Sequence, residues 1–121
     1  MNFLKLILAA LGFVLATNPA SAKIPNSKTE TVNVSGNCEM CKQRIEKAGN
    51  LKNIASVDWN GETDQASITF DSVQTTVDDV LKRIADAGYD NEKFTATDAA
   101  YNKLPGCCQY ERVQAVKKEN K

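Results

Sequence analysis

Four cysteines supply the soft-ligand and nucleophilic chemistry of this 121-residue chain, which contains no histidine. Two of them form the group Cys38-Glu39-Met40-Cys41. A separation of two residues lets both sulfurs turn toward one point. At the start of a helix they also meet unpaired backbone N–H groups and the positive end of the helix dipole. Thiolate is favoured there, and thiolate is the form that binds a metal or attacks a disulfide. Lys42 and Arg44 add positive charge nearby. Without imidazole, sulfur ligands select soft ions, Cu(I) first, with Hg(II), Zn(II) and Cd(II) as competitors. Zinc takes four ligands, so Cys38 and Cys41 alone suit a two-coordinate Cu(I) or Hg(II) better. The lack of histidine removes the usual general base, and Lys42 stands where haem attachment needs a histidine. Asp58, Glu62 and Asp64 have no acid/base spacing, so no catalytic residue is expected.

The elements that position this group follow from periodicity. Thr29 to Ser35 alternates around Val32 and Val34, the pattern of a half-buried strand. From Cys38 the period becomes helical, with Cys41, Ile45 and Ala48 on one face, until Gly49-Asn50. Ala55, Val57 and Trp59 alternate, Asn60-Gly61 turns the chain, and Ala66, Ile68 and Phe70 alternate again, which predicts a hairpin with Trp59 in the core. Thr76 caps a second helix whose stripe is Val77, Val80, Leu81, Ile84 and Ala87. Gly88 ends it, and Tyr89 to Phe94 reads as a last short strand. The order β-α-β-β-α-β over residues 29–95 is an α+β, ferredoxin-like sandwich: an antiparallel four-stranded sheet with two helices.

Both ends carry additions. Residues 1–22 have one charge, Lys5, an apolar run from Leu6 to Ala16 and small residues at Ala20-Ser21-Ala22. They read as a signal peptide cut after Ala22. Eleven apolar residues span roughly 16 Å, short of the roughly 30 Å of a membrane core, so no anchor is expected after cleavage. The mature chain is then periplasmic or secreted, where thiols can oxidise. Residues 23–28 form a flexible lead broken by Pro25. The remaining 99 residues carry 14 basic and 15 acidic side chains, a balance that argues against nucleic acid as partner. So short a chain also excludes large multi-domain enzymes.

Val34-Ser35-Gly36, the Cys38–Cys41 pair, Ile45-Glu46-Lys47-Ala48 and Ala87-Gly88-Tyr89 together resemble the heavy-metal-associated domain family, whose members include copper chaperones and a periplasmic mercuric-ion binding protein. The resemblance spans residues 29–95 and implies metal held by Cys38 and Cys41 on an exposed loop, with Tyr89 beside it. One departure stands out. The family pattern has Gly-Met-x-Cys-x-x-Cys, whereas Gly36-Asn37-Cys38 is one residue shorter and lacks that Met. Met40, inside the motif, either fills the loop or lends a thioether.

Residues 96–121 form an extension: a short helix over Thr97 to Leu104, a break at Pro105-Gly106, the pair Cys107-Cys108, and a charged segment from Tyr110 to Lys121 with weak helical periodicity. Twelve residues separate Thr95 from Cys108, which as helix reach roughly 18 Å, about the length of a strand. The second pair therefore either returns to complete a three- or four-sulfur site or forms a structural disulfide. The leading expectation is a non-enzymatic carrier, monomeric or bridged by metal into a dimer, that passes its ion to a membrane transporter or efflux component. A thiol–disulfide oxidoreductase with Cys38 as nucleophile is the alternative. A module with permanently bridged cysteines is the third.

Overall fold

The computed structural model describes residues 24–112. The proposed signal peptide and residues 113–121 of the extension lie outside the described residues. The elements are β1 (Ser27–Asn33), α1 (Glu39–Gly49), β2 (Ala55–Asn60), β3 (Gln65–Asp71), α2 (Val77–Asp86), the five-residue α3 (Asp98–Asn102) and a 3-10 turn at Gly106–Cys108. β1 starts two residues earlier than its alternation predicts and takes Ser27 and Lys28 from the expected lead, because they continue the pairing with Asp71 and Phe70.

β3 is the central strand, antiparallel to both neighbours in the order β1-β3-β2. Its register sets Ala66 opposite Val32 and Trp59, and Ile68 opposite Val57. With a side-chain period of two, these residues line one face and are all buried. Cys41 and Ile45 of α1 and Val80, Leu81 and Ile84 of α2 cover that face in a single core. Thr76 caps α2 as expected, its Oγ1 accepting from Asp79 N at 3.1 Å. The β2–β3 hairpin closes through Gly61–Asp64, and its left-handed residue is Asp64, at φ 57°, rather than the expected Gly61. Among the described residues no helix is long and apolar enough to cross a membrane.

The expected fourth strand is absent, and the reason lies in two adjacent side chains. Tyr89 to Phe94 contributes one isolated bridge, Val34 with Asn91, at the end of β1. Ser35 N donates to Asp90 O at 2.8 Å and Glu92 N to Asn33 O at 3.2 Å, but the pairing then stops. Asn33 N donates to the Glu92 carboxylate instead of a strand carbonyl. Asn91 Oδ1 accepts from Lys93 N and Phe94 N, curling the chain into a turn. Asp90 N donates to the Tyr110 hydroxyl, and Asp90 Oδ1 accepts from Ala96 N. Asp and Asn side chains compete in this way for backbone groups that a sheet would otherwise use. The sheet is three-stranded as a result.

The chain leaving this turn packs into the core. Ala96, Leu104, Cys108 and Tyr110 are buried. Tyr110 stacks on Tyr89 with ring centres 5.8 Å apart and meets Tyr101 edge-on at 5.1 Å. Its hydroxyl donates to Gly88 O at 2.8 Å. Gly88 has φ +109°, and a Cβ there would lie 2.9 Å from Ala100 O, so glycine both permits the turn and lets the extension close over it. Arg112 ties the end down. Its Nε and Nη2 each reach the Asp90 carboxylate at 2.9 Å, Nη2 also donates to Ala96 O, and Nη1 pairs with Asp98. The Asp90 contacts hold the guanidinium pKa above its ordinary value.

Both Asp90 and Arg112 are shielded, at 1% and 8% side-chain exposure. Removing one member of such a pair strands the other's charge and typically costs about 3–5 kcal/mol. Arg112→Ala is therefore expected to lower unfolding free energy by about 3 kcal/mol in a denaturant titration. A loss below about 1 kcal/mol, the range of exposed pairs, would contradict the latch.

Candidate metal centre

The cysteine loop rests on tryptophan. The Trp59 indole N–H donates to Val34 O at 2.8 Å, where the chain leaves β1. A Cβ on Gly36 would lie 2.9 Å from Trp59 Cζ2, so only glycine lets the loop lie against the ring. Cys38 then occupies the N-cap of α1 with extended backbone, φ −149° and ψ 173°. Cys41 sits one turn in, fully buried beside Ile45. Lys42 is turned away from the sulfurs: it bonds to Glu46, to Asp58 at 2.9 Å and to Trp59 O at 3.0 Å, fastening α1 to β2. Its contribution to thiolate formation, expected from sequence, is replaced by these contacts, with Glu46 the chief cause of a raised ammonium pKa. Arg44 is exposed.

The 3-10 turn brings Cys108 to the pair. Cys38 Sγ lies 3.4 Å from Cys41 Sγ and 3.8 Å from Cys108 Sγ, and all three sulfurs fall within 4.8 Å of one another. With a metal–sulfur bond of about 2.3 Å, two trans thiolates stand about 4.6 Å apart, three in a trigonal plane about 4.0 Å, and two corners of a tetrahedron about 3.8 Å. The Cys38–Cys41 separation of 3.4 Å would have to open by about 1.2 Å for a linear ion but only by about 0.6 Å for a trigonal one. The donor set thus fits a three-coordinate soft ion. The four cysteines are all free thiols. Cys107 does not enter this group. It is exposed on the rim, with Sγ 3.8 Å from Met40 Sδ and 4.0 Å from Cys108 Sγ.

Electrostatics separates Cys38 from Cys108. Burial pushes the Cys38 thiol up, but the backbone N–H of Cys41, the Cys41 and Cys108 thiols and the Met40 N–H together outweigh it and hold Cys38 below its usual value. The neutral thiol makes no capping bond of full geometry, so these amides are satisfied best when Cys38 is a thiolate. Cys108 is the opposite case: burial, then the Cys41 thiol, push it up to about 12. Metal must displace that proton. Cys41 Sγ donates to Asn37 Oδ1 at 3.0 Å.

Asn37 and Trp59 are site residues that sequence reasoning missed. Asn37 stands just ahead of the first cysteine, where the family pattern differs, and that departure was its only signal. Tyr89, by contrast, lies where expected. It is fully buried, its hydroxyl lacks a hydrogen-bond partner, and burial, then proximity to Cys108 and Cys41, raise its pKa. Its contact with the neutral Cys108 thiol falls short of a full hydrogen bond, and a charged sulfur would draw one from it.

A helix-cap cysteine pair completed by a third sulfur on an α+β scaffold defines a soft-metal-binding protein. Residues 31–90 match the heavy-metal-associated domain family. The mercuric transport protein periplasmic component of Pseudomonas aeruginosa is 34% identical over 88 residues, which are 71% of this chain and 93% of that protein. Copper chaperone CopZ of Staphylococcus aureus strain JH9 is 36% identical over 63 residues, 50% of this chain and 93% of CopZ. Among solved structures, oxidised MerP from Ralstonia metallidurans CH34 superimposes with a TM-score of 0.50 at 38% identity, covering 55% of this chain and 94% of that one. The chain belongs to the heavy-metal-associated domain family and is a metal-binding, metallochaperone-like member of it.

Tyr89→Phe separates binding from stability. The variant removes an unpartnered buried hydroxyl, so the metal-free protein should unfold no earlier than wild type. Metal affinity should fall about tenfold, as for groups that orient a ligand from behind. Unchanged affinity in an anaerobic Cu(I) competition titration would contradict the assignment.

Proposed function

We propose that this protein is an exported, non-enzymatic carrier that takes up Cu(I) or Hg(II) through Cys38, Cys41 and Cys108 and delivers it to a membrane transporter or efflux component. The observation that carries this reading is the three-sulfur group at the mouth of α1. Relatives named for mercuric transport and copper chaperoning support a soft cargo. The apolar leader and the periplasmic designation of the mercuric relatives support a place outside the cytoplasm. Zinc and Cd(II) are weaker candidates, because the group offers three sulfurs where zinc takes four ligands.

Release follows from unequal burial. Cys38 is partly exposed, whereas Cys41 and Cys108 are fully buried. An incoming partner thiolate bonds to the ion on the Cys38 side. Cys38 dissociates next, and Cys41 and Cys108 leave as further partner ligands arrive. No electrons move, and Cys108 recovers its proton when the ion departs. The third sulfur and the family match both favour this role over thiol–disulfide exchange.

The test is an anaerobic competition titration of the reduced mature chain. Wild type should retain its first equivalent of Cu(I) or Hg(II) through desalting. Cys38→Ser and Cys41→Ser should lose it, and Cys108→Ser should bind at least tenfold more weakly. Metal-free protein after desalting, or insulin-reducing turnover, would overturn the proposal.

A further inference from the structure

The sulfur group does not end at the three buried or half-buried cysteines. Met40 Sδ, Cys107 Sγ, Cys108 Sγ, Cys38 Sγ and Cys41 Sγ form a continuous row, with successive separations of 3.8, 4.0, 3.8 and 3.4 Å. The outer end of the row is open and the inner part closed: Met40 is 45% exposed and Cys107 exposed, Cys108 and Cys41 are fully buried, and Cys38 between them is half-buried. Two elements create the row. Met40 lies in the first turn of α1, and its long apolar side chain would ordinarily turn into a core. Here it stays at the surface, its sulfur facing a cysteine 67 residues away in sequence. That cysteine is presented by the 3-10 turn that also buries Cys108.

We infer that Cys107 and Met40 form a second soft-ion site, with the Cys108 thiolate bridging an ion held there and the ion at Cys38, Cys41 and Cys108. The inference rests on the reading of those three cysteines as metal ligands. A thiolate sulfur keeps lone pairs after binding one ion and can bind another, which a neutral thioether cannot do as readily. At about 2.3 Å per metal–sulfur bond, sulfurs about 4.0 Å apart share one ion, and both the Cys107–Cys108 and Cys107–Met40 separations match, at 4.0 and 3.8 Å. Charge balances too. Cu(I) enters as Cys107 releases one proton, so the second ion adds no net charge to the group. A thioether is soft and uncharged, which selects monovalent copper over zinc. At the rim, this site holds the most exposed sulfurs of the row, and it adjoins Cys38, whose Sγ lies 3.4 Å from Cys107 O.

Anaerobic native mass spectrometry with Cu(I) buffered by a chromogenic chelator tests the inference on the full mature chain. Wild-type monomer should hold two Cu(I), and Cys107→Ser one. Met40→Leu, which keeps the side-chain volume, should leave the first affinity unchanged and weaken the second at least tenfold. A wild type that stops at one ion, a Cys107→Ser variant that still takes two, or a second ion found only in dimers would overturn the second site while leaving the carrier reading intact. A wild type that holds none would overturn the carrier reading itself.

Discussion

The structure depends on what happens at Asp90. Its amide, both carboxylate oxygens and its carbonyl are committed to four partners: the Tyr110 hydroxyl, Arg112, Ala96 N and Ser35 N. Only the carbonyl serves the sheet. The other groups turn the chain off the edge of β1 and bind it to residues up to 22 positions later. A buried carboxylate is costly unless paired and hydrogen-bonded, and here every oxygen is satisfied. The same contacts that end the sheet at three strands therefore bring Cys108 to the N-terminus of α1. Loss of a fourth strand and gain of a third sulfur are one event.

Three sulfurs at this end of α1 resolve a conflict that a carrier must meet. Burial strengthens retention but slows exchange, and exposure does the reverse. The protein divides the two demands among its ligands. Cys38 faces the amides of the first helical turn, which stabilise its thiolate, and it remains partly open to solvent. Cys108 is buried and protonated until metal displaces the proton. Cys41 is buried on the other side of Cys38, with Asn37 as acceptor for its thiol. The Trp59 ring beneath Gly36 and the Lys42–Glu46–Asp58 contacts hold the loop and helix still while these charges change.

Much of this was legible from local pattern. Alternation located β1, β2 and β3, helical spacing located α1 and α2, and Thr76 marked a cap, because each signal lies within a few residues of what it controls. Cys38 and Cys41 were legible for the same reason. The last strand was misread because Tyr89 and Phe94, the two apolar residues of that segment, do not alternate, and because Asn91 curls the chain locally while Asp90 is drawn off the sheet by Tyr110 and Arg112, far along the sequence. The extension posed the same difficulty. Nothing local to Cys107-Cys108 tells which sulfur turns inward, since that depends on Tyr110 packing against Tyr89 and Arg112 closing on Asp90. The charge of Lys42 was visible, but its direction was set by Asp58 and Trp59 across the hairpin.

The central claim is that the first ion is held by three sulfurs, one of them from the extension. X-ray absorption at the copper edge of protein loaded with one Cu(I) measures this directly. The account predicts three sulfur neighbours, reduced to two in Cys108→Ser. Two sulfur neighbours in the wild type, unchanged by that substitution, would contradict it.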